Sequence, residues 1–198
     1  MDEHYSERAL ERRTEIIDAT MRVIERKGLE GASMRGIARE LGLTTGLVTH
    51  YFKDKNEILT TAIDALFKPF EVRLGKALET SDITQGLIEV LITTLPTQEP
   101  QRAAQRLFAH VLLQIKEDPV VGNAYRDRFH LLNQGICKLI KRGQDAGVLR
   151  NDFDPQRRTD FLCAFADGLG LHATGGLHNF SNELMVSLMM EEINRMHA

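Results

Sequence analysis

Apolar residues recur at helical spacing along most of the chain. Over 7–27, Ile16, Ile17, Ala19, Val23 and Ile24 share one arc at about 100° per residue, which predicts an amphipathic helix. Gly28 follows and can take the left-handed conformation at the C-terminal end. Glu7, Glu11 and Glu15 alternate with Arg8, Arg12 and Arg13, the composition of a solvated face. A short second helix is predicted from the N-cap Ser33, with Met34, Ile37, Ala38 and Leu41 inward and Gly42 as its stop. Leu43 then points back to the core, and Thr44 caps a third helix that runs to about Phe52. Asp54 with Glu57 resembles a capping box, so a fourth helix starts near Lys55, and Pro69 is expected to end or kink it.

Later segments are long and carry few breakers. Helices are predicted over 83–95 after Ser81-Asp82, and over 101–117 after a loop at 96–100. Two more run from 120 to 146, closed by Gly147, and from 155 to 174, with Pro155 at a helix start. The last spans 181–197, capped by Ser181 or Asn182. Strand-like alternation of useful length is lacking, so the expected fold is all-α with about nine helices.

Residues 33–52 have the pattern of a helix-turn-helix. Two short helices flank a tight turn at Gly42, and Ile37, Ala38, Leu41, Leu43, Val48 and Phe52 supply the inward contacts. Such a turn lets the second helix lie in the major groove of DNA while the first braces it. The outward residues of that second helix are Thr45, Gly46, Leu47, Thr49, His50 and Tyr51. Hydroxyls suit base edges or phosphates, and a Leu or Thr methyl suits the thymine methyl.

Charge changes the picture only slightly. The 198 residues carry a net charge of −3, so the molecule as a whole is not a basic nucleic-acid binder. Within 33–55, however, Arg35, Arg39, Lys53 and Lys55 face only Glu40 and Asp54, and phosphate contact needs only a local surplus. The two cysteines, Cys137 and Cys163, sit among apolar residues and read as reduced core thiols. The opening Met-Asp-Glu-His lacks the apolar segment of a secretory leader, and no run approaches the ~18 apolar residues of a membrane span. A cytoplasmic protein without membrane attachment, cofactor or metal is expected.

The run Gly42-Leu-Thr-Thr-Gly-Leu-Val-Thr-His-Tyr-Phe-Lys-Asp-Lys-Asn-Glu-Ile-Leu59 resembles the signature of the tetracycline-repressor (TetR) family. Ile37-Ala38-x-x-Leu41-Gly42 and Tyr51-Phe52-Lys53-x-Lys55-x-Glu57 are its most specific parts. The likeness is strong over about 10–60. Thr44-Thr45-Gly46, His50-Tyr51-Phe52, Asp54-Lys55-Asn56 and, later, Asp167-Gly168-Leu169-Gly170-Leu171 are similar to the betaine-regulator (BetI-like) subgroup. The resemblance implies a DNA-binding domain over 1–54 and a helical ligand-sensing and dimerisation domain over 55–198. It implies base-edge readers at Thr45, Gly46, Leu47, Thr49 and His50, with Arg35 reaching from the bracing helix. Phosphate anchors would be Ser33, Tyr51 and Lys55, and Thr44 counts among the DNA-binding residues without a role of its own. Leu47 departs from the hydroxyl-bearing residue often found there.

Implied partners are a palindromic DNA operator, a second copy of the chain, and a small-molecule effector. A single helix-turn-helix reads few base pairs, and a two-fold dimer doubles them. Candidate dimer contacts are Leu132, Ile136, Leu139, Ala164, Gly168, Leu171 and His172, since small residues about four apart let helices pack closely. Eight of nine Phe lie beyond residue 60, which suggests an apolar effector cavity. Candidate lining residues are Phe108, His110, Leu112, Tyr125, Phe129, Phe161 and Phe165. The subgroup resemblance hints at a quaternary ammonium ligand held by aromatic faces. The alternative is a ligand-binding helical protein whose helix-turn-helix is vestigial. An enzyme is not expected, because His, Cys and Asp are scattered and form no nucleophile–base motif.

Overall fold

A computed structural model of the chain describes residues 2–177 and 180–198. Among them the fold is all-α, with nine helices in order: α1 Asp2–Gly31, α2 Met34–Glu40, α3 Thr45–Tyr51, α4 Lys55–Glu79, α5 Ile83–Thr93, α6 Glu99–Gln114, α7 Pro119–Asp145, α8 Pro155–Thr174 and α9 Asn182–Asn194. No helix among the described residues is long and apolar enough to cross a membrane.

Side-chain caps fix most of the helix starts by accepting otherwise orphaned N–H groups. Ser33 accepts from Gly36 at 3.1 Å, Thr44 from Leu47 at 3.2 Å, and Asp82 from Gln85 at 2.9 Å. Asp154 accepts from Arg157 at 2.7 Å ahead of Pro155, and Ser181 from Leu184 at 3.2 Å. At α4, Asp54 accepts the Glu57 N–H at 2.9 Å, while the Glu57 carboxylate reaches back to the Lys53 N–H at 2.7 Å, one residue beyond the usual box partner.

Several boundaries differ from expectation. Gly28 has φ 69, yet helix resumes beyond it to Gly31, so it kinks α1 where a stop was expected. Pro69 sits inside α4, which continues to Glu79. Proline has no N–H for the Ala65 carbonyl, but both residues face solvent, where water can serve that carbonyl. The far end of α4 is tied down by Arg142, whose guanidinium donates to the carbonyls of Leu78 at 2.7 Å and Thr80 at 3.0 Å. α6 begins within the expected loop at 96–100 and ends at Gln114, short of 117. α9 stops at Asn194 because the following residues pair with another segment: Arg150 donates to the Met196 carbonyl at 2.8 Å, and Leu149 and His197 form an isolated bridge.

The chain forms two compact units. The first comprises residues up to Leu66 together with Leu107–Arg126. Its α1–α4 core gathers Ile16, Ile17, Ala19, Ile37, Ala38, Val48, Phe52, Ile58 and Ala62, with Met21, Met34, Leu41 and Tyr51 packed against it. Burying a side chain such as Phe52 contributes about 1.5–3 kcal/mol, so these contacts set the angle between α2 and α3. The second unit comprises Phe67–Arg106 and Asp127–Ala198. Leu87, Leu91 and Leu95 are buried there with Ile136, Leu139, Ile140, Leu162, Met185, Met189 and Ile193. α4 and α7 approach closely within it, since a Cβ on Gly135 would lie 2.2 Å from Leu74.

Candidate nucleic-acid interface

The reading surface is built by what it turns inward. Val48 is the buried residue of α3, and Phe52 follows as its C-cap, with its N–H bonded to the Val48 carbonyl at 3.1 Å. Leu41 and Leu43 are half-buried, so the turn between the helices is covered without being sealed. Gly42 there adopts φ 65, a left-handed backbone that a side chain would strain. With the inward positions taken, Thr45, Gly46, Leu47, Thr49 and His50 all face solvent.

Their hydrogen-bonding state limits what each can offer. The Thr49 hydroxyl donates to the Gly46 carbonyl at 2.9 Å, which leaves its oxygen as an acceptor. Ser33 and Thr44 accept N–H groups at their caps, which leaves their hydroxyl protons to donate. Tyr51 is half-buried against the core, and its ring stands edge-on to His50 at 5.0 Å between centroids. Arg35 is exposed on α2, and Lys55 is half-buried in the first turn of α4.

The charges around this surface are sorted. Glu40 is bound by Arg26 and by Arg22 at 3.4 Å, and Glu57 by Arg13 at 3.1 Å. The Arg26 hydrogen bond holds the Glu40 carboxyl below its ordinary range, and the Lys53 N–H, followed by Arg13, does the same for Glu57. Helix α1 therefore neutralises two acids of the reading unit. Among the described residues, Arg35, Arg39, Lys53 and Lys55 enter no ion pair.

Arg13 was not legible as a structural residue. Sequence composition put it on a solvated face, but its guanidinium donates to the Tyr51 carbonyl, pairs with Glu57 and lies 4.1 Å from the Phe52 ring centroid. The signal was its register: 13, 16, 17 and 20 follow the spacing of the buried arc.

The expected dimer set divides. Leu171 is 56% exposed, Ala164 and His172 are exposed, and Gly168 has no heavy atom within 4 Å of a would-be Cβ. Leu132, Ile136 and Leu139 are, by contrast, enclosed in the protomer's own core at 9%, 0% and 0% exposure. Those side chains have little surface to present to a second copy.

The expected effector residues also fall in different units. Phe108, His110, Leu112 and Tyr125 belong to the first, where Phe108 meets Tyr125 edge-on at 6.1 Å. Phe129, Phe161 and Phe165 belong to the second. Phe161 stacks on Phe165 at 5.7 Å, is 45% exposed, and carries the Arg158 guanidinium 5.0 Å from its centroid. Leu112 is exposed, so its side chain is turned to solvent rather than to a core.

Both cysteines are free thiols and half-buried, less enclosed than core positions. Burial first, then the charges of Asp167 and Asp160, pushes the Cys163 thiol up to about 12, which leaves it protonated and unreactive at neutral pH.

Comparison with known proteins matches this geometry. Residues 16–62 fit the profile of bacterial regulatory proteins of the tetR family. Residues 84–198, more than half of the chain, fit the C-terminal profile of BetI-type transcriptional repressors. The HTH-type transcriptional regulator PksA of Bacillus subtilis (strain 168) is 29% identical over 164 residues, covering 82% of this chain and 78% of PksA. The HTH-type transcriptional regulator BetI of Ectopseudomonas mendocina (strain ymp) is 26% identical over 179 residues, covering 87% and 86%. A transcriptional regulator from Saccharomonospora viridis, solved in complex with choline, superposes with a TM-score of 0.81 at 26% identity, over 93% of this chain and 96% of that one. All three are described as transcriptional regulators.

Proposed function

The chain belongs to the tetR family of bacterial transcriptional regulators, and on that premise we propose that it is a repressor that binds a palindromic operator as a homodimer and leaves it when a small-molecule effector binds. The observation that carries this reading is the set of unpaired cations, Arg35, Arg39, Lys53 and Lys55, around a solvent-facing α3. A surface of that kind suits phosphates on either side of a groove. A ligand-binding protein with a vestigial reader would leave those unpaired charges without a use.

Residues 1–54 serve as the reading head and 55–198 as the sensing and dimerising part, working in the cytoplasm. Thr45, Gly46, Leu47, Thr49 and His50 meet base edges, with Arg35 reaching from α2. Ser33, Thr44, Tyr51 and Lys55 hold phosphates. The exposed stripe of α8 around Ala164, Gly168, Leu171 and His172 meets its copy across the two-fold axis. The effector is a quaternary ammonium compound, a reading supported by the choline-bound regulator and by the BetI-type match. Aromatic faces such as those of Phe108 and Tyr125 suit such a cation. Lys55 opens α4, so an effector that displaces this helix also displaces a phosphate contact. Coupling of ~1–3 kcal/mol lowers operator affinity by about 5–150-fold.

The test is an anisotropy titration of the full chain against duplexes from the region flanking its own gene, with and without choline. Tight binding to a palindromic duplex that choline weakens is expected. Equal affinity for all duplexes would sink the operator reading, and indifference to choline would sink the effector class.

A further inference from the structure

Helix α3 ends in a tight three-way contact. The Tyr51 carbonyl is one of the last carbonyls of α3, which a helix cannot satisfy from within. Arg13 of α1 donates to it. The same guanidinium lies over the Phe52 ring at 4.1 Å and pairs with Glu57 at 3.1 Å. Glu57 in turn holds the Lys53 N–H at 2.7 Å, and its own N–H is held by Asp54 at 2.9 Å. One cation therefore joins the C-terminus of the reading helix, the bend at 52–54 and the first turn of α4.

We propose that Arg13 is a positioning residue for operator binding, one that fixes α3 and the start of α4 as a single body. The inference rests on the operator reading above. Tyr51 and Lys55, the phosphate anchors of that reading, stand on either side of the bend that Arg13 ties. With the tie in place, phosphates held by these two residues set the depth and angle at which Thr45 to His50 enter the groove. Without it, α3 keeps its core contacts through Val48 and Phe52 but loses its fixed angle to the anchors. Sequence discrimination then falls while the charges that attract DNA remain. The planar fork matters, since only a guanidinium can donate to the Tyr51 carbonyl, pair with Glu57 and stack on Phe52 at once.

The test compares the full chain with Arg13→Gln, Arg13→Lys and Glu57→Gln. Arg12→Gln is the control, because among the described residues Arg12 pairs with Glu15, its neighbour on α1, and with nothing on α3 or α4. The DNA is the duplex that the wild-type protein selects from a random library, with a scrambled duplex for non-specific binding. For Arg13→Gln the ratio of specific to non-specific affinity is expected to fall roughly tenfold, the worth of about one base contact. The salt dependence should be unchanged, and Arg12→Gln should match wild type. Arg13→Lys should fall between, and Glu57→Gln should show a smaller loss of the same kind. Partial unfolding lowers both affinities together and leaves the ratio alone, so a parallel loss would overturn the assignment. So would a salt slope reduced by about one charge per subunit, which marks a direct phosphate contact. A wild-type ratio in Arg13→Gln would overturn this proposal alone. Failure of the wild-type chain to select any duplex would overturn the operator reading and this proposal with it.

Discussion

The side-chain oxygen of Gln114 accepts the backbone N–H of Leu29 at 3.1 Å, one residue past the kink that Gly28 puts into α1. The last residue of α6 thus satisfies a donor that the broken helix leaves open, beside the buried Leu29 side chain. Gln114→Ala is expected to cost about 1 kcal/mol in chemical unfolding, the net worth of one such bond. Gln114→Glu keeps an acceptor and should stay near wild type. Faster amide exchange at Leu29 in the alanine variant would locate the effect, and unchanged exchange there would refute it.

Thr49 and Lys55 should separate reading from anchoring. The Thr49 oxygen is left as an acceptor by its bond to Gly46, so it suits a donor edge such as adenine N6 or cytosine N4. Thr49→Ala is expected to relax preference at one position of each half-site, whereas Lys55→Ala weakens all duplexes and lowers the salt slope by about one per subunit. Selection from a random library reads the first effect and a salt titration the second. Uniform loss for Thr49→Ala would remove it from the readers.

The α8 stripe can be tested without DNA. A Cβ at Gly168 meets nothing within 4 Å in the protomer, so Gly168→Ala should stabilise the isolated chain by up to about 1 kcal/mol of helix propensity. Leu171→Glu should leave the fold intact, because Leu171 is exposed, yet shift the chain toward monomer in sedimentation velocity. A fully dimeric Leu171→Glu protein at low micromolar concentration would move the interface elsewhere.

Asp167 gives stability a pH dependence opposite to that of Glu40 and Glu57. Desolvation on α8 raises its carboxyl from 3.8 to about 6, so the folded chain binds that proton more tightly than the unfolded one. The contribution is full below pH 3.8 and is lost as pH rises through about 6. The residue keeps contact with solvent, which screens the effect. Asp167→Asn should therefore gain in Tm relative to wild type between pH 4 and 7, and a constant difference across that window would count against it. Glu40 and Glu57, whose carboxyls are lowered, lose their contribution as pH falls below the ordinary carboxylate range.

Local rules made the reading head legible. Ser33, Gly42 and Thr44 act through backbone chemistry that each residue carries by itself, and the arc of Ile37, Ala38 and Val48 needs only helical period. What stayed hidden depends on neighbours distant in sequence. Arg13 looks like any surface arginine until Tyr51 and Glu57 are folded against it. Leu132, Ile136 and Leu139 form an apolar stripe that suits a partner helix equally well inside the protomer or outside it, and the protomer claims them. Within the protomer Gly135 lets Leu74 approach closely, a contact that spacing did not bring forward. The aromatics gave no better guide, because composition counts them without saying which unit they join.

Pro69 was expected to interrupt α4, and it does so in bonding while leaving the shape intact. The chain passes from one compact unit to the other at Leu66–Phe67, within the turn whose Ala65 carbonyl has no proline N–H to accept. A rod usually has to break a hydrogen bond before it bends. At this turn one such bond is already absent, so α4 holds its helical course there on its remaining bonds and its packing.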